Sequence, residues 1–256
     1  MKKTQGNPTA AVLLIGNELL SGRTQDTNLA YIAKRLVEKG IRVKEARVIS
    51  DTPEVIISNV NELRQRYTYV FTTGGIGPTH DDITADCVAE SFGVSLPINA
   101  EAKAILMAYF AERNIEVNED RLRMARIPEG ASLVENVVSA APGFQIQNVF
   151  VFAGVPRIMQ AMLDSVLPRL DEGQVLHSIT VWCQLGEGTI ASGLRALQEQ
   201  YPGVDIGSYP GKMNDASALD LVPERRLSLV ARGTDEVQLA QIKVDLEAMI
   251  SRLIQD

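Results

Sequence analysis

The chain has 256 residues, enough to bury its own core without disulfide or metal staples. Apolar residues make up 45% and charged residues 22%, the balance of a folded globular protein rather than a disordered one. With 25 basic against 32 acidic side chains the net charge is −7, which argues against a generic nucleic-acid binder, because that class neutralises phosphates with a basic surplus.

Two cysteines, Cys87 and Cys183, are too few for a disulfide framework or a four-cysteine zinc site, and they point to a reducing compartment. The first eight residues, Met1 to Pro8, are polar. The apolar run Ala10 to Ile15 is too short for a signal peptide. No window approaches the roughly 18 apolar residues of a membrane span. A cytoplasmic protein with no membrane partner is expected.

Ala10 to Ile15 is a continuous branched apolar run closed by Gly16, the pattern of a buried strand in a parallel sheet. A helix start follows at Asp26-Thr27, with apolar residues at Leu29, Ile32, Ala33, Leu36 and Val37 and a stop at Gly40. Arg42 to Ile49 reads as a second strand, and Asp51-Thr52-Pro53-Glu54 opens the next helix. Tyr69 to Thr72 is a short third strand, with a helix from about Ile83 to Phe92. This alternation predicts right-handed crossovers, a parallel sheet and helices on both faces. Ligands in such folds sit beyond the carboxyl ends of the strands, so the loops after Ile15, Ile49 and Thr72 should converge.

Glu101 to Arg113 reads as a helix and Val149 to Ala153 as a strand. Gly154-Val155-Pro156 then opens a helix ending near Leu170. Asp171-Glu172-Gly173-Gln174 is the linker candidate. Beyond it come a strand at Ile179 to Leu185, a helix at Ile190 to Tyr201, strands at Val204 to Ser208 and Leu227 to Arg232, and a helix at Glu236 to Leu253. That βαββα order suggests a small α+β sandwich, similar in outline to a KH or ferredoxin-like module.

The segment Thr72-Thr73-Gly74-Gly75-Ile76-Gly77-Pro78-Thr79-His80-Asp81-Asp82-Ile83-Thr84 carries the sharpest chemical signal. Three glycines in four positions let the backbone approach an anion and aim N–H groups at it, and the following helix adds a positive dipole end. Asp81 and Asp82 sit where a phosphate-bound Mg²⁺ would be held. The structural alternative is a tight turn with one of these acids as N-cap. The segment is neither a Walker A loop, which needs a lysine after the glycines, nor the GxGxxG fingerprint.

Glu18 follows a buried strand and reads as outside any helix, which suggests a ligand or metal contact. Asp26 and Asn28 also read as plain caps. Asp51 with Glu54 fits a capping arrangement. His80 faces either ligand or solvent, and His177 lies near the linker with no chemical role expected. Cys87 and Trp182 read as core residues, and the charges from Lys243 to Arg252 as a solvated helix face.

In this order these loops resemble the molybdopterin-binding (MoaB/Mog-like) domain family, and within it the CinA-like branch. The carrying residues are Gly16-Asn17-Glu18-Leu19-Leu20-Ser21-Gly22, Asp26-Thr27-Asn28, Asp51, and Thr73 to Pro78 with Asp81-Asp82. Arg123-Met124-Ala125, Ile127 to Ala131, Ala141-Pro142-Gly143-Phe144 and Gly154-Val155-Pro156 with Met159 continue the pattern. The resemblance covers about Ala10 to Leu170, and the region after the linker resembles the KH-like domain of the same proteins.

The resemblance implies a three-layer α/β/α domain with a mostly parallel sheet over 8–170 and a small α+β (KH-like) domain over 175–256. It implies a homodimer, and a pterin phosphate such as molybdopterin, or an adenine dinucleotide, as ligand. The CinA-like branch implies metal-dependent hydrolysis of ADP-ribose to AMP and ribose 5-phosphate, with Mg²⁺, Mn²⁺ or Co²⁺. Related domains fused to FAD synthetases handle FAD. Functional carboxylates are implied at Asp51 and Asp82.

The expected catalytic set is therefore Asp51, Asp81, Asp82 and Glu18, with Asp51, Asp81 and Asp82 on the metal. Ligand contacts are expected from Gly16, Asn17, Asp26, Asn28, Thr73, Gly74, Gly75, Gly77, Pro78, Thr84, Pro142, Gly143, Gly154 and Pro156.

Three departures stand out. Phe152-Ala153 replaces a Leu-Pro pair, Ile158 stands where the family often has an acid, and Val138-Ser139-Ala140 lacks a usual glycine. The chain ends where the branch continues into a deamidase domain, so nicotinamide-mononucleotide deamidation is not expected. A pterin or nucleotide binder without turnover is the alternative, favoured by Ile158. A KH-like nucleic-acid module is a third reading, opposed by the charge and by Tyr209 to Asn214, which is not a clamp loop.

Overall fold

The computed structural model describes residues 7–210 and 227–255. Residues 1–6 at the polar start and 211–214 of the segment weighed as a clamp loop lie outside the described residues. The chain divides into two compact units that meet between Gly173 and Gln174.

The first unit is a three-layer α/β/α sandwich. Its six-stranded sheet runs β2 (Arg42–Ile49), β1 (Thr9–Ile15), β3 (Tyr69–Thr73), β6 (Val149–Phe152), β5 (Gly143–Ile146), β4 (Ser132–Val134). The first four strands are parallel, and β5 and β4 pair antiparallel at the far edge. Because strand side chains alternate, β1 feeds both layers. Ala11, Leu13 and Ile15 enter one core with α3 (Pro53–Arg66), α4 (Thr84–Phe92) and α5 (Ala100–Glu112). Ala10, Val12 and Leu14 enter the other with α2 (Asn28–Glu38) and α7 (Pro156–Val166). Each fully buried aliphatic side chain contributes about 1.5–3 kcal/mol, so β1 anchors both layers at once.

Chain order against sheet order locates the switch point. From β1 the chain crosses to β2 on one side, then returns to place β3 on the other. The crevice above β1 and β3 is where such sheets accommodate ligands.

Three elements go beyond the sequence reading: α6 (Glu119–Arg123) and the strands β4 and β5. A very short helix, α1 (Asn17–Leu20), also follows β1 directly, so Glu18 is helical after all. Its carboxylate folds back over the preceding glycine: a Cβ at Gly16 would lie 2.5 Å from Glu18 Oε1.

The second unit runs β7 (His177–Cys183), α8 (Glu187–Gln200), β8 (Asp205–Pro210), β9 (Leu227–Gly233) and α9 (Glu236–Gln255). Its antiparallel sheet has the order β7-β9-β8. Ile190, Leu197, Leu239, Ile242 and Leu246 of the helices share a core with Val181, Cys183, Leu229 and Ala231. Trp182 is not a core residue. With Val181 and Cys183 turned inward, strand alternation turns Trp182 outward, and it is 46% exposed. Among the described residues no helix is long and apolar enough to cross a membrane.

Candidate functional site

The first unit gathers its polar loops at the carboxyl edge of the parallel strands. The Gly16 N–H donates to the Ile49 carbonyl at 3.1 Å, joining the ends of β1 and β2. The Gly74 N–H donates to the Phe152 carbonyl at 3.1 Å, joining β3 to β6. The loops after β1, β2 and β3 therefore converge, and the one after β6 joins them.

Gly74 and Gly75 have φ of 102° and 69°, backbone that side-chain-bearing residues rarely adopt. Space is as restrictive as torsion. A Cβ at Gly74 would strike the Ile15 carbonyl oxygen, and one at Gly75 would strike Thr84 Oγ1. Thr84, the first residue of α4 and fully buried, clasps the loop: its Oγ1 donates to the Gly74 carbonyl at 2.9 Å and its N–H to the Gly75 carbonyl at 2.9 Å. Gly154 completes the crevice, since a Cβ there would approach Gly74 Cα to 3.3 Å. Asn28 ties this wall to α2 by donating Nδ2–H to the Gly154 carbonyl at 2.8 Å.

Several expected site residues have structural partners. Asp26 caps α2, accepting from the N–H groups of Asn28 at 3.1 Å and Leu29 at 3.0 Å. Asp51 does not cap α3. Its Oδ2 accepts the Asn17 N–H at 2.9 Å and so caps α1 across the sheet edge. Asp82 does not cap α4 either. Its Oδ2 accepts the Thr79 N–H at 2.8 Å and the Thr79 hydroxyl at 2.5 Å, closing the glycine loop on itself. Asp81 is exposed, and the Thr79 hydroxyl and its own backbone N–H hold its carboxyl below the usual value. That hydroxyl has one proton, which it can direct to Asp82 or to Asp81.

Other expected contacts lie close by. Thr73 ends β3, and Gly77 packs against Asp82, a Cβ there lying 2.6 Å from Oδ2. Pro78 is exposed at the loop tip, and Pro156 starts α7. Pro142 and Gly143 are buried, with Gly143 opening β5 under the Val151 carbonyl. Ile158 packs into the apolar cluster of the α2–α7 layer, so its position serves the core.

Among the described residues no three His, Cys, Asp or Glu side chains come together as a metal cluster. Asp51 Oδ1 and Asp82 Oδ1 nevertheless accept no hydrogen bond among the described residues. Each carboxylate therefore keeps one oxygen open to a ligand at its own loop. Asn28 Oδ1, buried and without a donor, is a further unsatisfied acceptor in this wall.

A shallow cleft adjoins the loop through Ile76, Gly77 and Asp82. Its far wall is Arg123, Met124 and Arg126, and Pro142 and Phe144 also line it. Arg126 is committed to Asp86 in an ion pair. Arg123 Nε is buried with no hydrogen-bond partner. Arg123-Met124 fall within the family pattern but are not among the expected site residues. An arginine beside an apolar residue in a short loop helix is the only signal there.

Fold and site together define an α/β domain with a glycine loop at the switch point of a parallel sheet, clasped by the helix that follows. Residues 11–172 match the family described as probable molybdopterin binding domain, and the chain belongs to that family. Residues 175–255 match the family described as FAD synthase, middle domain. A protein of Saccharolobus islandicus is 38% identical over 254 residues, covering 96% of this chain and 93% of that one. A protein of Thermococcus kodakarensis is 39% identical over 214 residues, 78% of this chain and 85% of its own. Among solved structures, CinA from Thermoplasma acidophilum, described as of unknown function, is 32% identical with a TM-score of 0.59. The match covers 64% of this chain and 98% of that one.

Proposed function

We propose that the first unit binds a small phosphorylated heterocycle, a pterin phosphate or a nucleotide, with its phosphate on the Gly74–Gly77 loop. The clasped pair Gly74-Gly75 carries this reading. It is held in left-handed backbone where no Cβ fits, at the switch point of the sheet; the Gly74 N–H is committed to Phe152, while those of Gly75, Ile76 and Gly77 have no acceptor among the described residues and are open to an anion. Family membership supports the ligand class. Titration calorimetry of the full chain with AMP, ADP-ribose and FAD tests it. A stoichiometric complex is expected with at least one of them, weakened at least about tenfold, the scale of one charge-assisted hydrogen bond, when Gly75 is replaced by Ala. Absence of binding across the panel by a folded protein overturns the nucleotide reading, and absence of binding to a pterin phosphate as well overturns the whole.

A second reading is metal-dependent hydrolysis of the pyrophosphate in ADP-ribose, giving AMP and ribose 5-phosphate. The free Oδ1 atoms of Asp51 and Asp82, at the loops after β2 and β3, favour it. A divalent ion there would neutralise phosphate charge and lower the pKa of a bound water. The test is AMP production from ADP-ribose by metal-stripped protein, with Mg²⁺, Mn²⁺ or Co²⁺ restored singly. Binding without product under all three ions removes this reading and leaves the first.

A further inference from the structure

The outer face of the second unit's sheet carries aromatic side chains that its core does not use. Val181, Cys183, Leu229 and Ala231 turn inward to share a core with α8 and α9. Strand alternation sends Trp182, Tyr209 and Arg232 the other way, and all three are exposed. The pairing registers set this face out in rows. Trp182, Ser228 and Tyr209 form the row at one end, and Ser178, Arg232 and Asp205 the row at the other, with Val230 between them. Tyr209 lies back along its strand because Gly207 leaves the room: a Cβ there would come within 3.3 Å of the ring. The Arg232 guanidinium leans towards that ring, 5.6 Å from its centre. Arg232 and Asp205 are register partners, yet among the described residues no ion pair joins them.

Tryptophan, tyrosine and arginine are the residue types that concentrate binding energy at protein interfaces. Here the strands that bear an aromatic residue at one end bear a serine or an aspartate at the other. Such a face fits a copy of itself turned end over end. We propose that it is an interface between two copies of this chain, related by a two-fold axis that runs across the strands over Val230. Each Trp182 then lies over the partner's Ser178, and each Val230 meets the partner's Val230. Each Tyr209 lies under the partner's Asp205, which brings that carboxylate to the Arg232 guanidinium already beside Tyr209. The ion pair missing within each chain forms twice between chains. An axis along the strands would instead set Arg232 against the partner's Arg232, like charge on like. Contact between identical patches closes at two copies. Three strands and five residues of length give a face of roughly 14 by 17 Å. A standard interface buries about 1,200 Å² or more in total, so this one is weak and reversible. The interface is independent of the phosphate reading, which concerns the first unit.

The test follows the mass of the full chain by analytical ultracentrifugation over a micromolar concentration series, with tryptophan emission read on the same samples. Trp182 is the only tryptophan in the chain, so its emission reports this face alone. Mass should double as concentration rises, and emission should move to shorter wavelength in step. Arg232→Glu sets like charges against each other and should weaken association about tenfold or more. Arg232→Glu combined with Asp205→Arg should restore it.

A monomer at every concentration overturns the interface. So does a dimer whose emission does not shift or whose affinity survives Arg232→Glu, because its contact lies elsewhere. Failure of the double variant to recover overturns the end-over-end pairing. A constant monomer mass with emission quenched by added FAD assigns the face to a ligand and overturns the dimer as well.

Discussion

Thr84→Val is the sharpest test of the loop clasp. The two side chains are nearly the same size, so the substitution exchanges one buried hydroxyl for a methyl. Thr84 is fully buried, and its Oγ1 donates to the Gly74 carbonyl at 2.9 Å. Valine removes that donor and sets a methyl against the Gly74 carbonyl oxygen. Removing one partner of a buried hydrogen bond costs about 1–3 kcal/mol. At roughly 2–4 °C per kcal/mol for a unit of this size, the midpoint should fall by about 2–12 °C. Thr84→Ser keeps the donor and loses one methyl, about 0.8 kcal/mol, so it should fall less. Thermal unfolding by circular dichroism reads the stability, and calorimetry with AMP reads the loop. The valine variant should lose affinity as well as stability, with serine near the parent. Parental stability in the valine variant, or a serine variant as poor as valine, refutes the clasp. Lost stability with unchanged affinity refutes its link to the ligand.

Asp51 separates capping from chemistry. Asp51→Asn retains an acceptor for the Asn17 N–H and should stay within about 0.5 kcal/mol of the parent, while Asp51→Ala should lose about 0.5–2 kcal/mol in thermal unfolding. If the second functional reading holds, Asp51→Asn abolishes metal-dependent AMP formation at near-parental stability; turnover surviving in Asp51→Asn removes the carboxylate from that reaction. On the surface of the first unit, Arg47 bridges β2 to α3 through two 2.7 Å hydrogen bonds to Glu62. Arg47, then Arg66, holds the Glu62 carboxyl at about 2, below its usual 4.5. A carboxyl lowered on folding stabilises the fold above its unfolded value and loses that contribution as pH falls from about 4.5 to about 2. Unfolding midpoints followed across that window should decline less steeply in Glu62→Gln, and parallel curves would show the bridge contributes nothing.

Much of the fold was legible because burial and periodicity coincide in it. β1 and β3 have apolar runs that match their final environments, since a strand buried on both faces has no polar alternation to hide it, whereas the edge strand β2 is half exposed. The edge hairpin escaped notice for a local reason. β4 and β5 have three and four residues, and the turn from β5 to β6 puts Gln147 at φ 50°, where glycine or asparagine would have announced it. Trp182 was misassigned because a lone aromatic in a short strand does not reveal which of two faces it occupies. Only the inward packing of Val181 and Cys183 decides that.

For the site, the residue types in the loops were informative and their partners were not. Glycines at 74 and 75, with strand before and helix after, mark a turn in backbone that favours glycine, from local chemistry alone. Whether a carboxylate is spent or free depends on atoms far along the chain. Asp51 caps α1 from 34 residues away, and Asn28 reaches Gly154 across 126. Arg123 stands out only because the fold pairs its neighbour Arg126 with Asp86, 40 residues earlier, and leaves Arg123 Nε buried and unpaired. Local sequence determines backbone conformation and which faces seek burial, because those energies arise within a few residues. The pairing of polar groups is decided by tertiary structure, because hydrogen bonds and ion pairs depend on distances that only the assembled sheet sets.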